Sequence, residues 1–479
     1  MTEPISLDHL FPDRHSGESL ALQLTRSFRA AIAGGILPAS SRLLPSRELA
    51  KRLGVARNTI TRVYEQLASE GYLEARIGSG TFIASDATPQ YTLHIPSARS
   101  IPEPARRLAR MVTGLDEIAS TAGPLRIGSP DITQFPTRVW RRLALRFEFT
   151  SAEHLGYGQS SGLVSLREAI SRHVTLFRGL AVNPEQVIVV EGAQSAFHLI
   201  ALALADAGST LAIEDPCYPL ARAAFQSRGL DLRAVLVDED GLVPEQLPSK
   251  ATLCYVTPSH QFPLGGALPL SRRIALLAWA RASDAYIIED DYDGEFNAHP
   301  LPALASLDRD ERVIYVGTFS KTLAPGLRLG YVVVPTHLIK TFQLARSISA
   351  LGASLQQQEV LAEFMRNGYL VRHIRRLLAI YQRRRQALVD TLAQELPAGF
   401  AIGPTQTGLH VTVRGSSDFD DVRSAFSARD GQRWLPLSRL CLNRRDCNGF
   451  VLGFGAGPDD AIRPAAKGLA MSLRDSFLS

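Results

Sequence analysis

Five short runs rich in Val, Ile, Leu and Tyr, each ending in a polar turn, limit what this chain can fold into. They are VIVVE (187–191), TLAIED (210–215), TLCYVT (252–257), AYIIEDD (285–291) and RVIYVGT (312–318). Continuous apolar runs of that length suit strands buried on both faces. The helix-like stretches beside them supply the crossovers that parallel strands need. The pattern predicts a βα-alternating domain around a largely parallel sheet. In open sheets of this kind ligands sit beyond the carboxyl ends of the strands, so the turns after these runs are where chemistry is expected.

The 479 residues exceed one ordinary core and predict about two to three domains. A hydrophobic share of 45% with 21% charged residues describes a globular chain and excludes a disordered one. No apolar run approaches the roughly 20 residues that cross a bilayer, and residues 1–11 carry no secretion signal. Cys217, Cys254, Cys441 and Cys447 are scattered without a CxxC pair, as free thiols in a reducing cytoplasm would be. No disulfide framework and no metal site is expected.

The first 84 residues have a different character. Residues 19–36 carry apolar side chains at helical spacing and end at Gly34-Gly35. Ser46 is placed to cap a helix over 47–53 that stops at Gly54, and a second helix over 56–70 stops at Gly71. That is a helix-turn-helix in length and turn chemistry. Residues 72–75 and 81–84 can pair as a hairpin, a wing whose tip is Gly78-Ser79-Gly80. Over residues 19–84, nine cations (Arg26, Arg29, Arg42, Arg47, Lys51, Arg52, Arg57, Arg62, Arg76) stand against four acids, a bias that suits a polyanion. Arg47, Arg57, Asn58 and Thr59 are expected to reach phosphates or base edges of double-stranded DNA, with the wing around Gly80 at the minor groove. Merely solvated helix charges would leave the same trace. Periodicity fades over 85–120, where Pro89, Pro96, Pro102 and Pro104 read as a linker. The expected organisation is a DNA-binding domain over 1–84, a linker over 85–120 and the α/β domain over 121–479.

Within the α/β domain the most specific segment is GTFSKTLAPGLRLG (317–330). The chain has only five lysines, so its charge is carried mainly by arginine, and a lysine at this strand end needs a reason that arginine could not satisfy. Lysine can lose its proton and form an imine with an aldehyde; a guanidinium cannot. Arg328 offers a fixed fork for a phosphate dianion, and Thr318 and Ser320 add hydroxyls. At the end of AYIIEDDYDGEF, Asp290 can partner a protonated ring nitrogen and Tyr292 a ring oxygen. Asp291 competes for the carboxylate role, and an acidic metal cluster is the other reading of this run. Ala193 and Gln194 follow Gly192 where backbone N–H groups at a helix N-terminus would attract an anion. Tyr218 could stack on an aromatic ligand or simply pack. His260, in a Pro-rich turn, could serve a ligand or the fold.

The order of these five strand ends resembles that of fold-type I pyridoxal-phosphate enzymes of the aspartate aminotransferase class. The chain as a whole resembles the MocR/GabR subfamily of GntR regulators, from about Leu20 to the C-terminus. The resemblance rests on LLPSRELAKRLGVARNTITRVYEQLASEGYLEARIGSGTFIA, EDPCYPLAR, TPSHQFPLGG, EDDYDGEF and TFSKTLAPGLRLGY. It implies a winged helix-turn-helix domain linked to a fold-type I aminotransferase-like domain that binds pyridoxal 5'-phosphate. Lys321 is then the lysine that forms the Schiff base, Asp290 the partner of the pyridine nitrogen and Tyr292 that of the ring oxygen. Tyr218 stacks on the ring, while Arg328, Thr318 and Ser320 hold the phosphate. Tyr157 resembles the tyrosine that such proteins send across a homodimer to the partner's phosphate, and the family is similar to a head-to-tail dimer. Phe262-Pro263 stands where aminotransferases carry Asn-Pro, so one bond to the ring oxygen is missing or is replaced by His260. Arg439 is the candidate for an effector's acid group, with Arg444 and Arg445 competing. Ala56 stands where the family often has Ser, removing a helix cap worth about 1 kcal/mol. The expected function is a cytoplasmic DNA-binding transcription regulator switched by an amino-compound effector or by pyridoxal phosphate itself. The alternative is an active aminotransferase with an appended DNA-binding domain.

Overall fold

The computed structural model of the chain describes residues 10–13, 16–76, 78–86, 101–111, 118, 120–147, 156, 158–297, 301–350, 352–426 and 431–476. These form two compact units, Met1–Ile101 and Pro102–Ser479. Among the described residues no helix is long and apolar enough to cross a membrane.

The first unit contains helices α1 (Leu20–Ala33), α2 (Ser46–Leu53) and α3 (Arg57–Ser69) and strands β1 (Leu73–Arg76) and β2 (Gly80–Ile83). Ser19 caps α1 by accepting from the Leu22 N–H, and Leu24, Phe28, Ala31 and Ile32 form its buried stripe. Ser46 does not cap α2 as expected. Pro45 takes the capping position and Ser46 is the first helical residue, making no capping bond. Proline's fixed φ suits a helix entry, and its missing N–H costs nothing there. Gly54, at φ 66°, turns the chain between α2 and α3, and Ala56 leaves α3 without a side-chain cap. The hairpin pairs Leu73 with Ile83 and Arg76 with Gly80, the expected register with both strands set one residue closer to the tip, and Arg42 bridges to Phe82 as a third partner. Leu24, Phe28, Leu49, Leu53, Ile60, Val63 and Leu67 bring the three helices onto one core. Tyr64 stands edge-on to Phe28 at 5.9 Å and donates to the Leu44 carbonyl at 2.9 Å.

The second unit is built on an eight-stranded sheet. Its strands are β3 (Val187–Val190), β4 (Thr210–Asp215), β5 (Asp231–Asp238), β6 (Gly241–Leu242), β7 (Leu253–Val256), β8 (Tyr286–Asp291), β9 (Val313–Thr318) and β10 (Gly330–Val333). The order is β3-β10-β9-β8-β7-β4-β5-β6. β9, β8, β7, β4 and β5 run parallel, whereas β10 lies antiparallel between β3 and β9, and β6 is an antiparallel edge. The central strands are buried, save the half-buried Tyr286 that opens β8, as the apolar runs require. Helices pack on both faces, giving one core that contains Phe197, Phe225 and Tyr255 and another that contains Tyr315, Tyr331 and Phe364. A smaller antiparallel sheet follows, made of β11 (Ala401–Ile402), β12 (His410–Arg414), β13 (Leu435–Pro436) and β14 (Gly449–Gly453) in the order β11-β12-β14-β13. The expected linker is not wholly irregular: Glu103–Met111 is a helix, with Arg106 paired to Glu103 at 3.3 Å, and it packs on the helix Pro219–Ser227.

Leu67 is fully buried where α1 and α3 meet. Leu67→Ala should lower the stability of the first unit by about 2–5 kcal/mol. Denaturant unfolding of the full chain, followed by amide exchange in α3, measures this; an unchanged midpoint would refute the packing described.

Candidate functional site

The site begins with the two-residue period of β8. Neighbouring side chains on a strand point to opposite faces, so Asp290 and Asp291 cannot serve one ligand together. Asp291 accepts from the Tyr315 hydroxyl at 2.5 Å and pairs with the buried Arg178 at 2.6 Å. Burial works against the Arg178 charge, but Asp291, Tyr315, Glu289 and Glu295 more than offset it and raise its pKa. Arg178 also donates to Ser259 at 2.5 Å, and His173 pairs with Glu295 at 3.1 Å. Asp291 therefore belongs to a structural network. Asp290, on the other face, has one oxygen, Oδ2, bonded by the Tyr255 hydroxyl at 2.6 Å. Among the described residues its Oδ1 is buried without a hydrogen-bond partner. Burial pushes its pKa up to about 7 against the Tyr255 bond, and Asp291 and Asp293 add to the rise. An unpaired buried carboxyl oxygen is costly unless something cationic or donating reaches it.

Lys321 lies just past the end of β9 and donates to the Gly128 carbonyl at 2.5 Å. Burial lowers its pKa despite the attraction of Asp293 and Asp290. The shift raises the share of neutral amine, the form that attacks a carbonyl. Gly317, beneath it on β9, has no room for a side chain, because the Tyr331 ring occupies the place of a Cβ.

A second feature forms where β3, β10 and β9 lie side by side. Gly330 pairs with Thr318 on one side and Val190 on the other, bringing the turn at Gly192 beside the turn after β9. Gly192, at φ 93°, leads into the helix Ala193–Leu204. A Cβ there would lie 3.7 Å from both terminal nitrogens of Arg328, so the guanidinium sits over this helix N-terminus. Arg328 adopts the left-handed backbone conformation, at φ 50°. Thr318 donates to Ser320 Oγ at 3.1 Å and accepts from the Ser320 N–H at 3.1 Å. The Gln194 side-chain amide is buried without a partner. A guanidinium, a helix N-terminus and two hydroxyls are donors from which an anion cradle can be built.

Tyr218 heads the helix Pro219–Ser227 and stands edge-on to Phe262 at 5.7 Å. Burial and Asp290 raise its hydroxyl's pKa while Arg328 opposes them, which sets the ring in the fields of both features. The Tyr292 hydroxyl donates to the His260 carbonyl at 3.0 Å and lies 2.9 Å from His260 Nδ1. His260 Nδ1 in turn lies 2.9 Å from Asp293 Oδ2. His260, Asp293 and His410 lie close enough to suggest a metal site. However, the two imidazoles lie tilted against each other with centroids 4.2 Å apart, and His410 Nε2 is taken by the Pro263 carbonyl at 2.9 Å.

Arg439 sits in the short helix Leu437–Leu440 beside the Tyr218 strand end, where the Cys217 N–H bonds the Leu440 carbonyl at 3.2 Å. Asp215 fastens the following loop by accepting from the N–H groups of Leu442, Asn443 and Arg444. Arg444 is committed to Val237 and Asp446. Tyr157 lies outside the described residues. The sequence reading missed Tyr255, Asp293, Gly128 and His410. Tyr255 carried a usable signal, a hydroxyl within a buried strand that must find a partner.

In the first unit Arg47, Arg57 and Asn58 are exposed, Thr59 is half-buried, and Gly80 is exposed at the wing with the Arg42 guanidinium alongside. Arg47 and Arg57 make no ion pair among the described residues. Cations free of acids at the starts of the two helices of a helix-turn-helix, Arg47 on α2 and Arg57 on α3, are available to phosphates and base edges.

Residues 20–83 match the family described as bacterial regulatory proteins, gntR family, and residues 125–435 match aminotransferase class I and II. The chain is 37% identical to the probable rhizopine catabolism regulatory protein MocR of Rhizobium meliloti, over 98% of this chain and 95% of the relative. It is 36% identical to the HTH-type pyridoxine biosynthesis transcriptional regulator PdxR of Corynebacterium glutamicum, over 94% and 95%. The structure of a Pyrococcus horikoshii kynurenine aminotransferase, in complex with PMP, is similar with a TM-score of 0.69 at 27% identity, covering 79% of this chain and 95% of that one. With a winged DNA-binding unit at one end and an aminotransferase fold at the other, the chain belongs to the MocR/GabR type of GntR regulators and is a DNA-binding transcription regulator.

Proposed function

We propose that this regulator holds pyridoxal 5'-phosphate at Lys321 and that an amino compound, or the cofactor itself, switches its hold on DNA. The aminotransferase class to which the large domain belongs depends on that cofactor. The observation that carries the reading is Asp290: a buried carboxyl oxygen without a partner, on the same sheet edge as a lysine of lowered pKa and an anion cradle. The residues fit the group. Bound there, pyridoxal phosphate supplies an aldehyde that a primary amine captures covalently.

In this reading Lys321 is that amine in the resting protein, and Asp290 Oδ1 meets the ring nitrogen. Arg328, Thr318, Ser320 and the N–H groups of Ala193 and Gln194 hold the phosphate, Tyr218 covers a ring face and Tyr292 faces the ring oxygen. Tyr157 completes the phosphate site across a homodimer, and Arg439 takes the acid group of an amino effector. An effector that displaces Lys321 and engages Arg439 changes the contacts across the domain, and only such differential contacts can bias a DNA-binding equilibrium. The name of the pyridoxine-biosynthesis relative supports the cofactor itself as a second candidate signal. The protein then acts in the cytoplasm, on double-stranded DNA, through Arg47, Arg57, Asn58, Thr59 and the wing at Gly80.

Lys321→Ala should abolish the visible absorbance of the cofactor-loaded protein and the pyridoxyl mass that borohydride fixes on the peptide spanning position 321. Mass retained on that digest region, or an unchanged spectrum, overturns the assignment. Asp290→Asn should weaken pyridoxal phosphate binding roughly tenfold or more, the loss expected for one charge-assisted hydrogen bond; equal affinity in a fluorescence titration argues against the ring-nitrogen contact. Arg57→Ala should weaken binding to duplex DNA roughly tenfold. It should also lower the salt slope of affinity by about one if the contact is to a phosphate. Unaltered affinity and slope in an anisotropy titration would remove Arg57 from the interface.

A further inference from the structure

Tyr292 is held from behind by residues that the proposed function does not use. Asp293 Oδ2 accepts the Leu409 N–H at 3.0 Å and faces His260 Nδ1 at 2.9 Å. A carboxylate oxygen only accepts, so His260 Nδ1 carries the hydrogen. The Tyr292 oxygen, also 2.9 Å from Nδ1, can then only accept from it, and its own proton rests on the His260 carbonyl at 3.0 Å. When that proton turns to another acceptor, Nδ1–H still polarises the phenol. Phe262, at 6.3 Å from Tyr292, has no donor to add.

We infer that Asp293 and His260 form a positioning relay that makes Tyr292 a directed, strengthened donor to the ring oxygen of the cofactor, and that the relay is anchored on the smaller sheet. The anchoring is dense. A Cβ on Gly408 would overlap the His260 ring, so only glycine fits against the relay. The Gly408 N–H bonds Asn297 at 3.0 Å, and Thr407 bonds the Gly265 carbonyl at 2.9 Å. His410, the first residue of β12, packs its ring against His260 at 4.2 Å and bonds the Pro263 carbonyl at 2.9 Å, which Thr412 also bonds. A shift of the smaller sheet is thereby felt at the Tyr292 hydroxyl. The groups facing His260 are Tyr292, Asp293 and His410, and the further charged groups of the site are Lys321 and Asp290. Burial, His260 and Lys321 all depress the His410 pKa, so it adds no competing charge near neutral pH.

The inference rests on the cofactor reading, and its test separates the two. In the full-length, cofactor-loaded protein, the visible absorbance of cofactor held at Lys321 is titrated with pH. A strong donor stabilises the ionised ring oxygen, so weakening it should move the midpoint upward. His260→Asn should raise it by about one pH unit, the equivalent of about 1.4 kcal/mol. Asp293→Asn keeps the side chain's size and an oxygen for Leu409 and Nδ1 but loses the charge, so it should move the midpoint in the same direction by less, and it serves if the first variant does not fold. Tyr292→Phe should raise the midpoint too, and adding His260→Asn to it should produce no further shift, because a relay acts only through the hydroxyl it holds. Single variants with full pyridoxyl content and the wild-type midpoint, or additive shifts in the double variant, overturn the relay. A wild-type protein that takes up no pyridoxyl mass overturns the cofactor reading instead.

Discussion

A carboxyl group buried at the end of a central strand, with one oxygen satisfied and the other bare, is the constraint around which the large domain is arranged. Strand alternation splits Asp290 from Asp291, and the two faces then receive opposite treatments. Asp291 is neutralised by Arg178 and Tyr315 within a packed core. Among the described residues Asp290 receives a single phenol, and its Oδ1 has no partner. A buried polar atom without a partner is costly, so Asp290 Oδ1 is a place where a donating ligand would be stabilised. The lysine after the neighbouring strand and the cradle beyond it stand on the same edge of the sheet, and their spacing follows from strand register rather than from any local motif.

Much of this was legible in the amino-acid order. The five apolar runs appear as β3, β4, β7, β8 and β9 with ends displaced by at most one residue, because a fully buried strand leaves a composition that helices of the same length do not share. The helix-turn-helix was readable from Gly54 and Gly71, whose positive φ angles mark the helix stops. Local chemistry was less decisive at Ser46, where an adjacent proline took the cap. The insertion of β10 between β3 and β9 left no trace, since sequence period reports which faces are buried but not which strands are neighbours.

The site divides in the same way. Lys321 and Arg328 stood out because their residue types are chemically specific, and Thr318 and Ser320 followed by proximity in the chain. Choosing between Asp290 and Asp291 required knowing where Arg178 lies, a contact between residues far apart in sequence. Gly128, Asp293 and His410 escaped notice for that reason: each acquires meaning only from a partner on another element. Arg444, a plausible anion ligand by type, is occupied by Asp446 and the Val237 carbonyl.

The helix Glu103–Met111 lies against the helix that Tyr218 begins. Two helices in contact behave as a lever and its fulcrum, since packed interiors transmit small displacements instead of absorbing them. A tilt of the tyrosine ring is therefore felt first by Glu103–Met111, the helix that stands in sequence between the DNA-binding residues and the sheet.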